Sequence, residues 1–485
     1  MTATAQRFFN LTSDEVSVDS MLPQFSYSVP LEGAFADSVY SSMILYPEFI
    51  DMTQEDIAHY HRLSADSLPA LPRVEQHLVL SRKKGSLEVS FCPLVYREGR
   101  YQILVSFMLR IDSKALPRAK RMAPGPRGTA EASRYADHSV LASGTWAKIR
   151  VPSTGVYQLT ESFVRQAGFS NLSKVKVYGY GGNLQNEKLV GDELRATDDL
   201  HEVPTYAAGN RRLFYARGPV SWENNTATRR TRNPYSDYGY YFLTETDAEP
   251  QRVDSAAFLS SFYPSPDDYH SLYEKDGYSW YPGGRNLFDP DPIHYGKSKE
   301  VVFNNRTGAT SGRLTVSVSA GSNSRATVFF NGKQVGELYV SLGSYDKGNS
   351  ATATYNLSGL TASDTVSVRC VLGDPIRLDY VSMAWDKPAP APSLAAQFAT
   401  PEYVYHITNQ DHHADAAADM IIIIPTSQKL LKQAQRLAAF HEQHDAMRVR
   451  IVPADELFNE FSSGTPDANA YRRYLKMLYD RAETD

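Results

Sequence analysis

The sequence predicts a multidomain chain, mostly β (β-sandwich or jelly-roll-like domains), followed by the start of a caspase-like α/β domain. Three observations carry this. Leu314, Val316 and Val318 alternate with polar residues, and Asn331-Gly332 sits between two apolar alternating runs, the pattern of a strand and of a two-residue hairpin. Met420-Ile421-Ile422-Ile423-Ile424 is an unbroken apolar run closed by Pro425, which reads as a strand buried on both faces of a parallel sheet. A helical period follows it, with Leu430, Leu431, Ala434, Leu437, Ala438 and His441 on one face.

In chain order, residues 1–116 form an N-terminal β-rich region, irregular up to 72 apart from a helix around Thr53–Arg62. Tyr101, Ile103, Val105, Phe107, Leu109 and Ile111 alternate with polar positions, as in a half-buried antiparallel strand. Residues 117–128 are a basic, Pro- and Gly-containing linker. Residues 129–260 are a second β-rich domain with a short helix at Thr160–Ala167 stopped by Gly168. Its Gly179-Tyr180-Gly181-Gly182 lacks the third glycine and the following helix of a nucleotide loop, so it reads as a tight turn. Residues 261–387 form a β-sandwich, 388–396 a stiff Pro-rich linker, and 397–485 an incomplete α/β domain. In that last stretch Val449, Ile451 and Val452 form a second strand. Asp467 caps a helix with Tyr471, Tyr474, Leu475, Leu478 and Ala482 as its stripe.

Composition narrows the function classes. The 485 residues carry a formal net charge of −5, which argues against a nucleic-acid partner. No apolar run approaches the ~20 residues of a membrane-spanning helix. The first residues, Met1 to Gln6, lack a basic and an apolar signal region. That leaves a cytosolic chain or a mature chain whose signal was removed or not included. Cys92 and Cys370 lie in different expected domains and read as two unpaired thiols filling apolar positions. His441 and His444, spaced i, i+3, read as helix-end capping and packing rather than metal ligands. His412 and His413 read as solvated loop residues. Asp289 and Asp291 offer oxygens to calcium, but without the glycine and following Glu of a calcium loop; no other cofactor is indicated. Tyr269, Tyr273, Tyr278 and Trp280, among Pro, Ser, Asp and Gly, read as an exposed aromatic loop that docks a partner.

Several blocks carry a resemblance. Ala418–Thr426, Ala438–His441, Asn459-Glu460-Phe461-Ser462-Ser463-Gly464 and Tyr474–Ala482 resemble the opening of a gingipain-like cysteine peptidase domain. Ser139–Ile149, Thr154–Thr160, Val177–Gly182 and Tyr235–Thr244 resemble one branch of that family, the sortases of the type IX secretion system. The resemblance implies a cysteine endopeptidase and transpeptidase at the outer face of the outer membrane. It would remove the C-terminal signal domain of exported proteins and attach them to anionic lipopolysaccharide through a cysteine acyl-enzyme. It implies an outer-membrane β-barrel and other members of a surface attachment complex as partners. The family's catalytic His and Cys are expected beyond Asp485, so no catalytic residue is assigned and the chain by itself is expected to be inert. The alternative is a non-enzymatic surface module that binds glycan or protein.

Overall fold

The computed structural model describes residues 2–19, 21–31, 38–64, 67–81, 84–115, 134–189 and 191–482. The linker expected at 117–128 lies outside them. The chain forms two compact units, the first within Met1–Ala130 and the second spanning Glu131–Arg481.

In the first unit the long strand Arg100–Ala115 is the spine. It pairs antiparallel with Thr2–Asn10, Ser38–Asp51 and Leu94–Arg97. A second sheet is ordered Phe25–Leu31, Lys84–Phe91, Glu75–Ser81. Val89, Phe91, Leu104, Phe107 and Leu109 fill the core between them. The segment before residue 72, expected to be irregular apart from one helix, thus carries three strands. The register of Ser38–Asp51 shifts around Glu48, just after Pro47, and such a bulge breaks the two-residue period by which a strand is read. The helix Gln54–Leu63 starts where expected. Thr53 caps it, its Oγ accepting from the amide of Asp56 at 3.1 Å.

The second unit opens with a four-stranded sheet ordered Val175–Tyr178, Gly239–Glu245, Trp146–Val151, Glu402–Ile407. A three-stranded sheet of Tyr206–Ala208, Arg211–Ala216 and Gly155–Thr160 accompanies it. Period-two alternation divides the residues of Trp146–Val151. Ala147, Ile149 and Val151 join Leu159, Phe214 and Leu243 in one core, whereas Trp146 packs with Leu141, Leu200 and Phe242 in another. Lys148 alternates onto the Trp146 side.

The sandwich is built as the sequence predicts. One sheet runs His270–Glu274, Ile376–Trp385, Ser311–Ala320, Asn349–Ser358, and the other Ser298–Asn304, Ser363–Leu372, Ser324–Phe330, Lys333–Val340. Leu314, Val316, Val318, Val366, Val368 and Cys370 meet in its core, all fully buried. Asn331 and Gly332 both take positive φ, 47° and 80°, which turns the hairpin with the twist its strands need.

At the α/β end, Met420–Ile424 pairs in parallel with Val449–Pro453. Of the apolar run only Ile424 is fully buried, because the described sheet has two strands and leaves an open edge. Helix Leu431–His444 lays its small residues Ala434 and Ala438 inward, while Leu430, Leu437 and Phe440 stay exposed. The stripe of helix Ala468–Arg481 also differs from expectation. Leu475 is exposed, and Ala470, Tyr474, Met477 and Leu478 are buried together with Arg473 and Asp480.

Candidate functional site: a buried ion network around Glu460

Helix Ala454–Phe461 begins directly after its strand and is strongly amphipathic, but its inner face is not purely apolar. Leu457 and Phe461 are buried beside Asn459 and Glu460. Glu460 is fully enclosed and accepts four hydrogen bonds: from Gln410 Nε2 (2.8 Å), the amides of His412 (2.9 Å) and His413 (3.1 Å), and His413 Nδ1 (2.7 Å). The His413 ring stacks on Phe461, and its Nε2 faces Asp198 at 3.6 Å. His412 is held on both sides, Nδ1 to Asp415 and Nε2 to Glu456, each at 2.8 Å. Asp415 also receives Tyr474 Oη (2.8 Å) and Arg450 (2.7 Å). Both histidines, expected in solvent, are therefore inside.

An imidazole with a carboxylate at each nitrogen is held doubly protonated. Burial by itself depresses the His412 pKa, but its bonds to Asp415 and Glu456 overrule that and raise it to about 9. For His413 the same contest, won by Asp198 and Glu460, gives about 10. Neither ring is free to accept a proton near neutrality, so the cluster serves as a charged clamp rather than a general base.

The clamp continues into the β-rich part of the same unit. Lys148 Nζ donates to Asn459 Oδ1 at 2.9 Å and lies over the Tyr240 ring at 4.6 Å. Burial lowers its pKa to about 7, with Asp455 opposing. Ser463 Oγ accepts from the amides of Tyr180 (3.0 Å) and Gly181 (3.3 Å) and donates to Tyr240 O (3.0 Å). The glycine loop is thus a tight turn seated on a serine. A Cβ on Gly179 would stand 2.6 Å from that Ser463 Oγ, so glycine is required there by contact as well as by its φ of +132°. Asp467 caps the last helix through the amide of Asn469 (2.8 Å), and its other oxygen accepts from the amide of Gln185 (3.0 Å). Sequence reasoning missed Glu460, Lys148, Asp198 and Gln410 as members of one site. The only local signal was the density of polar residues in Asn459–Asn469.

The other expected site residues fall elsewhere. Tyr269, Tyr273, Tyr278 and Trp280 are all half-buried rather than exposed. Tyr273 packs on the sandwich core and donates to Asp289 at 2.9 Å, Tyr278 covers the Arg377 guanidinium at 3.6 Å, and Trp280 donates to Ser319 Oγ at 3.2 Å. Asp289 is fully buried and holds the Lys299 ammonium at 2.6 Å, with Asp291 3.4 Å from the same nitrogen; a lysine stands where calcium was considered. Among the described residues no group of three His, Cys, Asp or Glu side chains is placed to hold a metal. His441 and His444 both place Nδ1 on the carboxylate of Asp445, the residue that caps their helix through its own amide to His441 O. Cys92 and Cys370 are free thiols, and burial raises the pKa of each.

The segment carrying this network is similar to a class of peptidases: residues 413–485 match peptidase family C25. Over much of its length the chain is also similar to dimeric latent PorU from Porphyromonas gingivalis, with 26% identity and a TM-score of 0.58. That match covers 73% of this chain and 41% of the other, so the chain spans about two-fifths of the solved PorU chain. Weaker likenesses cover smaller parts. A family GH115 4-O-methyl-alpha-glucuronidase is 18% identical with a TM-score of 0.16, over 19% of this chain and 14% of its own. A family 35 carbohydrate-binding module from an environmental isolate is 17% identical with a TM-score of 0.19, over 25% of this chain and 90% of its own. No curated protein matches the sequence.

Proposed function

We propose that this chain is part of a cell-surface sortase of the type IX secretion system. The observation that supports the reading is the joint likeness to PorU across most of the chain and to peptidase family C25 at its α/β end. In this reading a cysteine thiolate attacks the carbonyl at the junction between an exported protein and its C-terminal signal domain. The peptide bond breaks, the signal domain leaves with a free amine, and a thioester joins protein to enzyme. An amine on anionic lipopolysaccharide then displaces the thiol and forms an amide. The Glu460 clamp would hold the peptidase segment in register with the β-rich part. An outer-membrane β-barrel and other members of an attachment complex would retain the enzyme at the outer face of the outer membrane. The docking role proposed for Tyr269, Tyr273, Tyr278 and Trp280 would act through the part of each side chain left at the surface.

In cells deleted for the gene, exported proteins should keep their signal domains and appear unanchored in the medium, and the complete gene should restore processing. Mass spectrometry of the exported proteins decides, and unchanged processing in the deletion strain would overturn the reading.

No described cysteine is equipped for the thiolate step. Cys370 lies in the sandwich core with its Sγ 3.3 Å from Gly373 O, and both thiols have raised pKa values. Residues 1–485 alone should therefore neither cleave peptides nor react with a thiol-trapping probe as an enzyme would. Turnover that disappears in Cys92→Ala or Cys370→Ala would contradict this.

A further inference from the structure

The second unit contains a cleft on the sandwich that the sortase chemistry leaves unused. Two adjoining hollows, of about 270 and 220 Å3, share Arg285, Asn286, Phe288 and Ser350 in their linings. Trp280 and Tyr281 border the smaller one, and Arg230, Asp276 and Asp379 the larger. The aromatic side is built rather than incidental. Trp280 lies against Gly348 and Gly321, where any Cβ would come within 2.2 and 2.5 Å of its ring atoms. Tyr278 meets Trp280 edge-on at 4.9 Å. Tyr281, 43% exposed, is pinned through its hydroxyl by the amide of Lys347 at 3.0 Å.

The polar side is incompletely satisfied. Asp276 spends one oxygen on Arg232 Nε at 2.5 Å, and its side chain is only 10% exposed. Its Oδ1 is buried and has no hydrogen-bond partner among the described residues, and the same holds for Arg230 Nε. Arg230 spends its Nη2 on Glu274 and Asp379. An acceptor and a donor, both buried and both unpaired, ask for a group that donates and accepts at once, which a hydroxyl does. A rigid aromatic face beside them suits the C–H face of a pyranose ring.

We infer that this cleft binds carbohydrate, with Trp280 and Tyr281 stacking on a sugar ring and Asp276 and Arg230 taking its hydroxyls. The site involves neither a thiol nor the α/β segment, so it stands apart from the sortase chemistry, and it shares Trp280 with the docking surface proposed above. The hydroxyl pattern is common to the cell's own surface polysaccharide and to external glycans, and the choice of probe separates the two.

The test is affinity electrophoresis of the full chain in gels containing xylan, mannan, laminarin or the O-polysaccharide released from lipopolysaccharide, with intrinsic fluorescence in parallel. Trp146, Trp222 and Trp385 are at most 8% exposed, so a saccharide-dependent change reports mainly on Trp280. At least one polymer should retard the chain. Asp276→Asn and Tyr281→Ala, which leave the sandwich core untouched, should each weaken that retardation roughly tenfold with unchanged circular dichroism. Retardation by the O-polysaccharide alone would assign the site to the cell's own polymer, and retardation by the others to an external glycan. No retardation by any of the four, or equal retardation of wild type and both variants, would overturn the inference.

Discussion

Replacing Glu460 by alanine should destabilise the second unit by about 4 kcal/mol or more. The side chain is fully buried and answers four donors, one of them a cationic imidazole. Its loss leaves two backbone amides, one of the two Gln410 Nε2 protons and one nitrogen of His413 without their acceptor, while Gln410 keeps its bond to Glu456 O. Asp198, 3.6 Å from the other nitrogen, cannot take over both sides of the ring. Glu460→Gln keeps an acceptor but removes the charge and should cost about half as much. Urea denaturation followed through tryptophan emission measures both, because Trp146 stands two residues from Lys148 in the strand that the clamp grips. A cost below about 1 kcal/mol for the alanine variant would show that the clamp is not what holds this segment.

The second large effect is on pH dependence. The folded pKa values of His412 and His413, about 9 and about 10, lie above the ordinary 6.5. Their contribution is fully present below pH 6.5 and is lost as pH rises through the folded values. Lys148 works in the opposite sense. Its folded pKa of about 7 lies below the ordinary 10.5, so folding gains from it as pH rises between those values. From pH 7 to 9 the folded state holds two protons that the unfolded chain lacks, and lacks one that the unfolded chain holds. The net slope is about −1.4 kcal/mol per pH unit. Lys148→Met removes the offset, so its stability should fall about twice as steeply over the same range. Urea midpoints at pH 7, 8 and 9 for both proteins decide. A flat wild-type profile, or equal slopes, would contradict the assignment of charges in the network.

How much of this was legible in the sequence depended on whether the deciding partner was local. Leu314, Val316 and Val318 announce their strand by themselves, and Asn331-Gly332 announces its turn, because period and turn chemistry are properties of neighbours. The parallel pair of strands at the α/β end is legible for the same reason. Glu460, Lys148 and His413 were not, because such residues ordinarily lie at the surface and nothing nearby in sequence says otherwise. Their burial is decided by partners more than 40 residues away for His413 and 311 residues away for Lys148. Trp280 was misjudged in a related way. Polar neighbours suggest an exposed loop, while the glycines that receive its ring, Gly321 and Gly348, lie just beyond the ends of the strands Ser311–Ala320 and Asn349–Ser358, far along the chain.

The strand Trp146–Val151 has its outer neighbour supplied by Glu402–Ile407, and the paired side chains Arg150 and Glu402 are 252 residues apart. During synthesis the first strand is completed long before its partner exists. At roughly 5–20 residues per second the interval lasts on the order of tens of seconds. Throughout that time one border of the sheet offers unpaired amides and carbonyls to any extended peptide nearby. The nascent chain therefore has a defined period of vulnerability to mispairing, bounded by two identifiable stretches of its own message. A factor that shields extended backbone would matter most until Tyr403 and Tyr405 have paired with Ile149 and Lys148.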